Sequence, residues 1–142
     1  MREILFRGKR QDNNEWIEGY FAKSGDKTFI LIDNDFAVGY VKMKEVIPET
    51  VGEYTGLTDK NGKKIFEGDI VVTRFTTGQI CAIGDIQLAC GVYGVEWTCN
   101  KKNKGMIGCF GQAHNLRRLD DDIINNIEVV GNIYDNPELL ED

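Results

Sequence analysis

Proline is nearly absent from this chain, with two residues in 142 against sixteen glycines. So little proline excludes a proline-rich linker or recognition tract, while abundant glycine suits the frequent tight turns of a sheet protein. Long apolar runs are missing too. Hydrophobic residues are interrupted every few positions, and no stretch approaches the roughly 18–20 apolar residues of a membrane-spanning helix. The segment Met1-Arg2-Glu3-Ile4-Leu5-Phe6-Arg7-Gly8-Lys9 is charged throughout and lacks the apolar core of a secretory signal. These absences predict a soluble, cytoplasmic protein with no membrane part. The length suits a single domain over residues 1–142, burying about 70% of the surface of its unfolded chain.

The chemical repertoire is equally sparse. His114 is the only histidine, so any Ser/His/Asp or Cys/His mechanism must run through it. It lies in Gly111-Gln112-Ala113-His114-Asn115, which reads as a polar loop and not as a nucleophile elbow. A hydrolase there would need a cleft joining His114 to Cys109 or to an acid. Cys81, Cys90, Cys99 and Cys109 never come as the closely spaced pair with which structural zinc sites usually supply their ligands. Small buried thiols in a β core are the better reading. Gly52, Gly56, Gly62 and Gly68 form no dinucleotide or phosphate-binding motif and are best read as turn and bulge positions. Asp120-Asp121-Asp122 lacks the spacing and glycine of a calcium loop, so a solvated acidic turn is expected. No cofactor or metal is implied.

Charge is unevenly placed. Residues 119–142 hold eight acids and no base, whereas residues 1–118 hold 17 bases and 15 acids. The net charge of −6 therefore arises at one end of the chain. That acidic segment disfavours phosphate binding locally. Basic clusters occur elsewhere, at Arg7/Lys9/Arg10, Lys101/Lys102/Lys104 and Arg117/Arg118.

Alternation dominates over helical period. Ile4 and Phe6 share a strand face, and Trp16 to Phe21 form a second strand after the polar turn Gln11-Asp12-Asn13-Asn14. Lys23-Ser24-Gly25-Asp26-Lys27 reads as a hairpin loop leading into Thr28-Phe29-Ile30-Leu31-Ile32. Val46–Val51 is strand-like, but Pro48 consigns it to an edge or a bend. Ile80–Leu88 and Val92–Trp97 continue the pattern, as do Ile127, Val129 and Ile133. Asp120–Asn126 could form one helical turn, and Asn136-Pro137 reads as the cap and first-turn proline of a short helix.

The strongest local signal is Tyr54-Thr-Gly-Leu-Thr-Asp-Lys-Asn61-Gly62-Lys-Lys-Ile65-Phe-Glu-Gly68-Asp69-Ile-Val-Val72. Asn61-Gly62 predicts a hairpin with a two-residue type I′ turn, because both central positions would need φ > 0. Residues Tyr54–Val71 resemble the YopX-like family, proteins encoded mainly by phages and prophages of Gram-positive bacteria. The resemblance extends to Met1–Arg7 with Trp16-Ile17-Glu18-Gly19-Tyr20, and to Ile127–Leu140. Residues 76–120 match poorly. The resemblance implies a mostly β domain related to small SH3-like barrels, with no established activity and no functional residues to transfer.

The expected architecture is mainly β. An SH3-like small barrel would span residues 46–134, with the amino-terminal strands packed on it and a short carboxyl-terminal helix. Leu139 and Leu140 should then lie on an apolar surface, of the same chain in preference to a neighbouring subunit. The expected role is that of a non-enzymatic phage or prophage accessory module binding a protein partner, which suits the acidic balance better than duplex DNA does. The alternative is a nucleic-acid-binding module. It would use the loop containing Lys101, Lys102 and Lys104, with Trp97 as an exposed stacking platform. Because the cysteines lack a ligand pair, purified protein should contain no stoichiometric zinc and should keep its fold in chelator. About one zinc per chain by elemental analysis would refute that reading.

Overall fold

The computed structural model describes residues 4–35, 39–89, 92–98, 114–118 and 125–140. Within them the protein is mainly β and antiparallel. Two compact units, Met1–Gly56 and Leu57–Asp142, divide the chain inside strand β5.

The first unit contains β1 (Phe6–Lys9), β2 (Trp16–Ser24), β3 (Lys27–Asp35), β4 (Tyr40–Val46) and the start of β5 (Gly52–Thr58). They lie in the order β4-β3-β2-β1-β5. Register fixes the faces. Phe6 opposes Gly19 and Gly8 opposes Ile17 across β1–β2, while Phe21 opposes Ile30 and Thr28 opposes Val46 further along. Period-2 alternation therefore gathers Phe6, Gly8, Gly19, Ile30, Thr28 and Val46 on one face. That face is buried at its centre, where Ile30 and Val46 are at most 1% exposed, while Phe21 opposite Ile30 stays 44% exposed.

This sheet coils so far that β4 returns to β1. An isolated bridge joins Arg10 to Val46. Gln11 N–H donates to the Glu45 carbonyl at 2.9 Å and Ile47 N–H to the Lys9 carbonyl at 2.8 Å. So tight a curl leaves little room inside. A Cβ at Gly19 would collide with the Leu31 carbonyl oxygen, so glycine there is a requirement of close strand approach. The Pro48 segment resolves as a bend, a 3-10 turn over Pro48–Thr50. The Thr50 hydroxyl accepts from Lys9 N–H at 2.9 Å and donates to the Ile47 carbonyl at 2.6 Å, which ties the bend to β1.

The second unit begins with the end of β5 and β6 (Lys64–Phe66). It continues with β7 (Asp69–Arg74), β8 (Ile80–Ala89), β9 (Val92–Thr98), β10 (His114–Arg118) and β11 (Glu128–Asn132). The last five form one sheet in the order β10-β9-β8-β7-β11. One face of that sheet carries Val71, Ala82, Ile86, Val95, Trp97 and Val129, which cluster with Ile65 and Ile127 and with the partly buried Leu57 and Tyr93. The opposite face carries Ile70, Val72 and Ile83, against which Ile133 and Leu140 pack. The expected carboxyl-terminal helix is a single 3-10 turn, Pro137–Leu140. Leu140 does lie on an apolar surface of its own chain, while Leu139 stays 37% exposed. Among the described residues neither sheet forms a continuous closed ladder, the first being joined at one end by an isolated bridge alone, so the SH3-like barrel expected over 46–134 is not confirmed. His114 opens strand β10, opposite Thr98, where a loop was expected. The helical turn expected at 120–126 falls largely outside the described residues.

The hairpin forms where Asn61-Gly62 places it, but not with the expected turn. Gly62 has φ +82°, whereas Asn61 is not among the residues with positive φ. Gly62 N–H donates to the Asp59 carbonyl at 3.0 Å, and Asp59 N–H to the Lys63 carbonyl at 2.8 Å. This is the three-residue loop in which one left-handed glycine follows an ordinary turn. Asp59 selects it: one carboxylate oxygen accepts from both Asn61 N–H and Lys63 N–H, each at 2.9 Å. The two positions should therefore differ in tolerance. Gly62→Val is expected to cost about 1–3 kcal/mol because a β-branched residue resists that φ, whereas Asn61→Ala should stay within about 0.5 kcal/mol. Equal losses for both variants in chemical denaturation would restore the type I′ turn.

Candidate functional site

Opposite the buried face of the first unit, the same register assembles an outer face. Lys9 opposes Trp16 and Arg7 opposes Glu18 across β1–β2. Tyr20 opposes Leu31, and Leu31 in turn opposes Met43. All of these project from the outer side by alternation. Trp16 is held among cations: the Arg7 guanidinium carbon lies 4.8 Å from its ring centroid and the Lys9 ammonium 5.7 Å. Each such contact contributes about 0.5–1 kcal/mol at a partly exposed site, and together they limit the indole's freedom.

Beyond this cluster the face is apolar and open. Tyr20 is 56% exposed and Met43 is 43% exposed. Leu31 is half-buried between them, and the half-buried Phe29 lies between Ala22 and Glu45. Trp, Tyr, Met and Arg are the residue types that distinguish protein-binding patches from ordinary surface. At the neighbouring turn Arg10 grips Asp12 through two hydrogen bonds, of 3.0 and 2.7 Å. The hydrogen bonds from Arg10, aided by its charge and that of Lys44, hold the Asp12 carboxyl below its usual range.

Of the residues that the sequence nominates for binding, only Trp97 is described. Trp97 is 5% exposed and packs in the core of the second unit. Its ring anchors the sheet and offers no open face for a base, which corrects the expectation of a stacking platform. Lys101, Lys102 and Lys104 lie outside the described residues, as do Cys90, Cys99, Cys109 and Asp120–Asp122. Cys81 is a free, buried thiol. Among the described residues no three His, Cys, Asp or Glu side chains are grouped to hold a metal ion, and no helix is long and apolar enough to cross a membrane.

The outer face of β2 escaped the sequence reading for a definite reason. Ile17, Gly19 and Phe21 are as apolar as Trp16 and Tyr20, so alternation alone could not decide which set faces solvent. The available signal was glycine. Gly8 and Gly19 fall on the same side, which marks the crowded interior.

The chain matches the model of the family described as YopX protein over residues 5–141. It belongs to the YopX family. A crystal structure, that of protein EF1440 from Enterococcus faecalis, is similar at TM-score 0.53 and 24% identity, covering 99% of this chain and 100% of that one. That likeness concerns the fold alone. No curated protein matches the chain.

Proposed function

We propose that this YopX protein is a non-enzymatic phage or prophage accessory module that binds a protein partner in the bacterial cytoplasm. The outer face of the first unit is its docking surface. The observation that carries this reading is the exposed Tyr20–Met43 patch beside the cation-flanked Trp16. Large amphipathic rings contribute much buried area at little cost in side-chain entropy, which suits a docking surface. The net charge of −6 favours a protein over duplex DNA.

Trp16 with Arg7 and Lys9 also supports a second reading, as a single-strand nucleic-acid platform in which a base stacks beside two cations. Salt separates the two, because phosphate contacts make affinity fall steeply with ionic strength.

The test is capture of a partner from prophage-induced cells by the immobilised protein and by the variant Tyr20→Glu/Met43→Glu. Both positions are exposed, so the variant should keep its circular dichroism and melting temperature. The partner should be retained by the native protein and recovered at about tenfold lower yield or less with the variant, corresponding to a loss of 1.4 kcal/mol or more. Equal recovery with a folded variant would remove the outer face from the account. Salt-steep binding of a single-stranded oligonucleotide that needs Trp16 would replace the protein partner with nucleic acid.

A further inference from the structure

In the second unit β8 runs on past the start of β7. Their ladder ends near Ile70, which opposes Asp85, and Gly68 N–H then donates to the Ile86 carbonyl at 2.9 Å. The Gly68 carbonyl in turn accepts from Ile133 N–H at 2.9 Å, which brings the segment after β11 beside the overhang. Between them lies a cleft of about 280 Å³ lined by Glu67, Asp85, Gln87, Leu88, Ile133 and Tyr134, with Gly68 and Ile86 at its base.

The lining is of one electrostatic kind. Among the described residues it includes two carboxylates, an amide and a phenol, but no basic residue. Its apolar surface comes from Ile133 and from Leu88, which is 48% exposed. The Gln87 side-chain amide donates to one Asp85 carboxylate oxygen at 3.0 Å and so orients the acid. The volume falls just below the usual range for small-molecule sites, roughly 300–1,000 Å³. One long side chain fits that size better than a cofactor does.

We propose that this cleft receives an arginine side chain from a partner protein. A guanidinium is planar, so it can lie against the Tyr134 ring while its N–H fork meets the Asp85 carboxylate. The aliphatic stem of the arginine then covers Ile133, on the same sheet face as Asp85, as long cationic side chains do on apolar surface. Asp85 gains most from such a neighbour. Burial lifts its pKa above the usual carboxylate range; the Gln87 hydrogen bond opposes that rise and the facing Glu96 adds to it. An incoming cation compensates both the burial and the like charge. The cleft and the outer face of the first unit belong to different units, so each proposal stands without the other.

The probe is N-acetyl-arginine amide, titrated into the full chain and followed by backbone amide shifts in NMR. Saturable shifts should centre on Asp85, Gln87 and Tyr134. The neutral isostere N-acetyl-citrulline amide should produce none, and N-acetyl-lysine amide should bind more weakly than arginine. Asp85→Asn should weaken the arginine probe about tenfold or more, the scale of one lost charge-assisted hydrogen bond. If that variant loses its dispersed spectrum, the arginine–citrulline comparison on the native protein decides alone. Equal shifts with citrulline, equal binding of lysine, or no saturable shift at the cleft would each overturn the assignment.

Discussion

One buried carboxylate ties the second unit together. Asp59 is 6% exposed, and its side chain accepts three backbone N–H groups. One oxygen serves Asn61 and Lys63 within the hairpin, and the other takes Val129 N–H at 2.9 Å, from a residue 70 positions along the chain. Burying a carboxylate is costly unless its lone pairs are met, and here they are. Burial by itself raises the Asp59 pKa, but the donors from Val129, Lys63 and Asn61 outweigh it and hold the group below the usual range. Lys60 N–H adds a bond of 3.2 Å to the Ile127 carbonyl. The hairpin and β11 are thereby fixed to each other, and both Ile127 and Val129 are placed in the main core.

The remaining geometry of that unit follows from this tie. With Val129 fixed against Val71, the ladder bulges before Gly131 resumes opposite Ile70. The chain then turns on Asn132, whose side-chain oxygen accepts from Tyr134 N–H at 3.0 Å and Asp135 N–H at 2.9 Å. That turn carries Ile133 and Leu140 onto the opposite face of the sheet. Two apolar faces are covered as a result, one beside the hairpin and one under the terminal 3-10 turn. Asp69, only 1% exposed, plays a local counterpart role by accepting Phe66 N–H at 2.8 Å, which sets the link between β6 and β7.

Much of this was legible in the residues, and the failures have physical causes. Alternation and turn residues located most strands because sheets with one buried face enforce period 2. The hairpin was placed correctly from Asn61-Gly62, yet its turn was not, since Asp59 reorganises the loop and local dihedral preference cannot register that. Val95 and Trp97 are two apart and point the same way, so the inward orientation of Trp97 is legible in sequence, whereas its proximity to three lysines points falsely outward. Which face of β2 meets water depends on how strongly the sheet coils, a long-range property that appears in sequence only as Gly8 and Gly19. The Asp85 cleft has no sequence signature, because Glu67, Asp85 and Tyr134 are brought together solely by the β8 overhang and the turn after β11.

The role of Asp59 can be measured by chemical unfolding of the native side chain and of Asp59→Asn, both in a Trp16→Phe background so that Trp97 reports the second unit. An amide at this position would turn one N–H₂ group toward a backbone donor, so the variant should lose about 2–3 kcal/mol at neutral pH. The folded pKa is depressed, so this contribution is present above the unfolded carboxylate pKa of roughly 3.9. It fades as pH falls through the lower folded value. The gap between native and variant should therefore be full at pH 7 and shrink in acid below about pH 4. A gap that is absent at pH 7, or that stays constant from neutral pH into acid, would contradict the account.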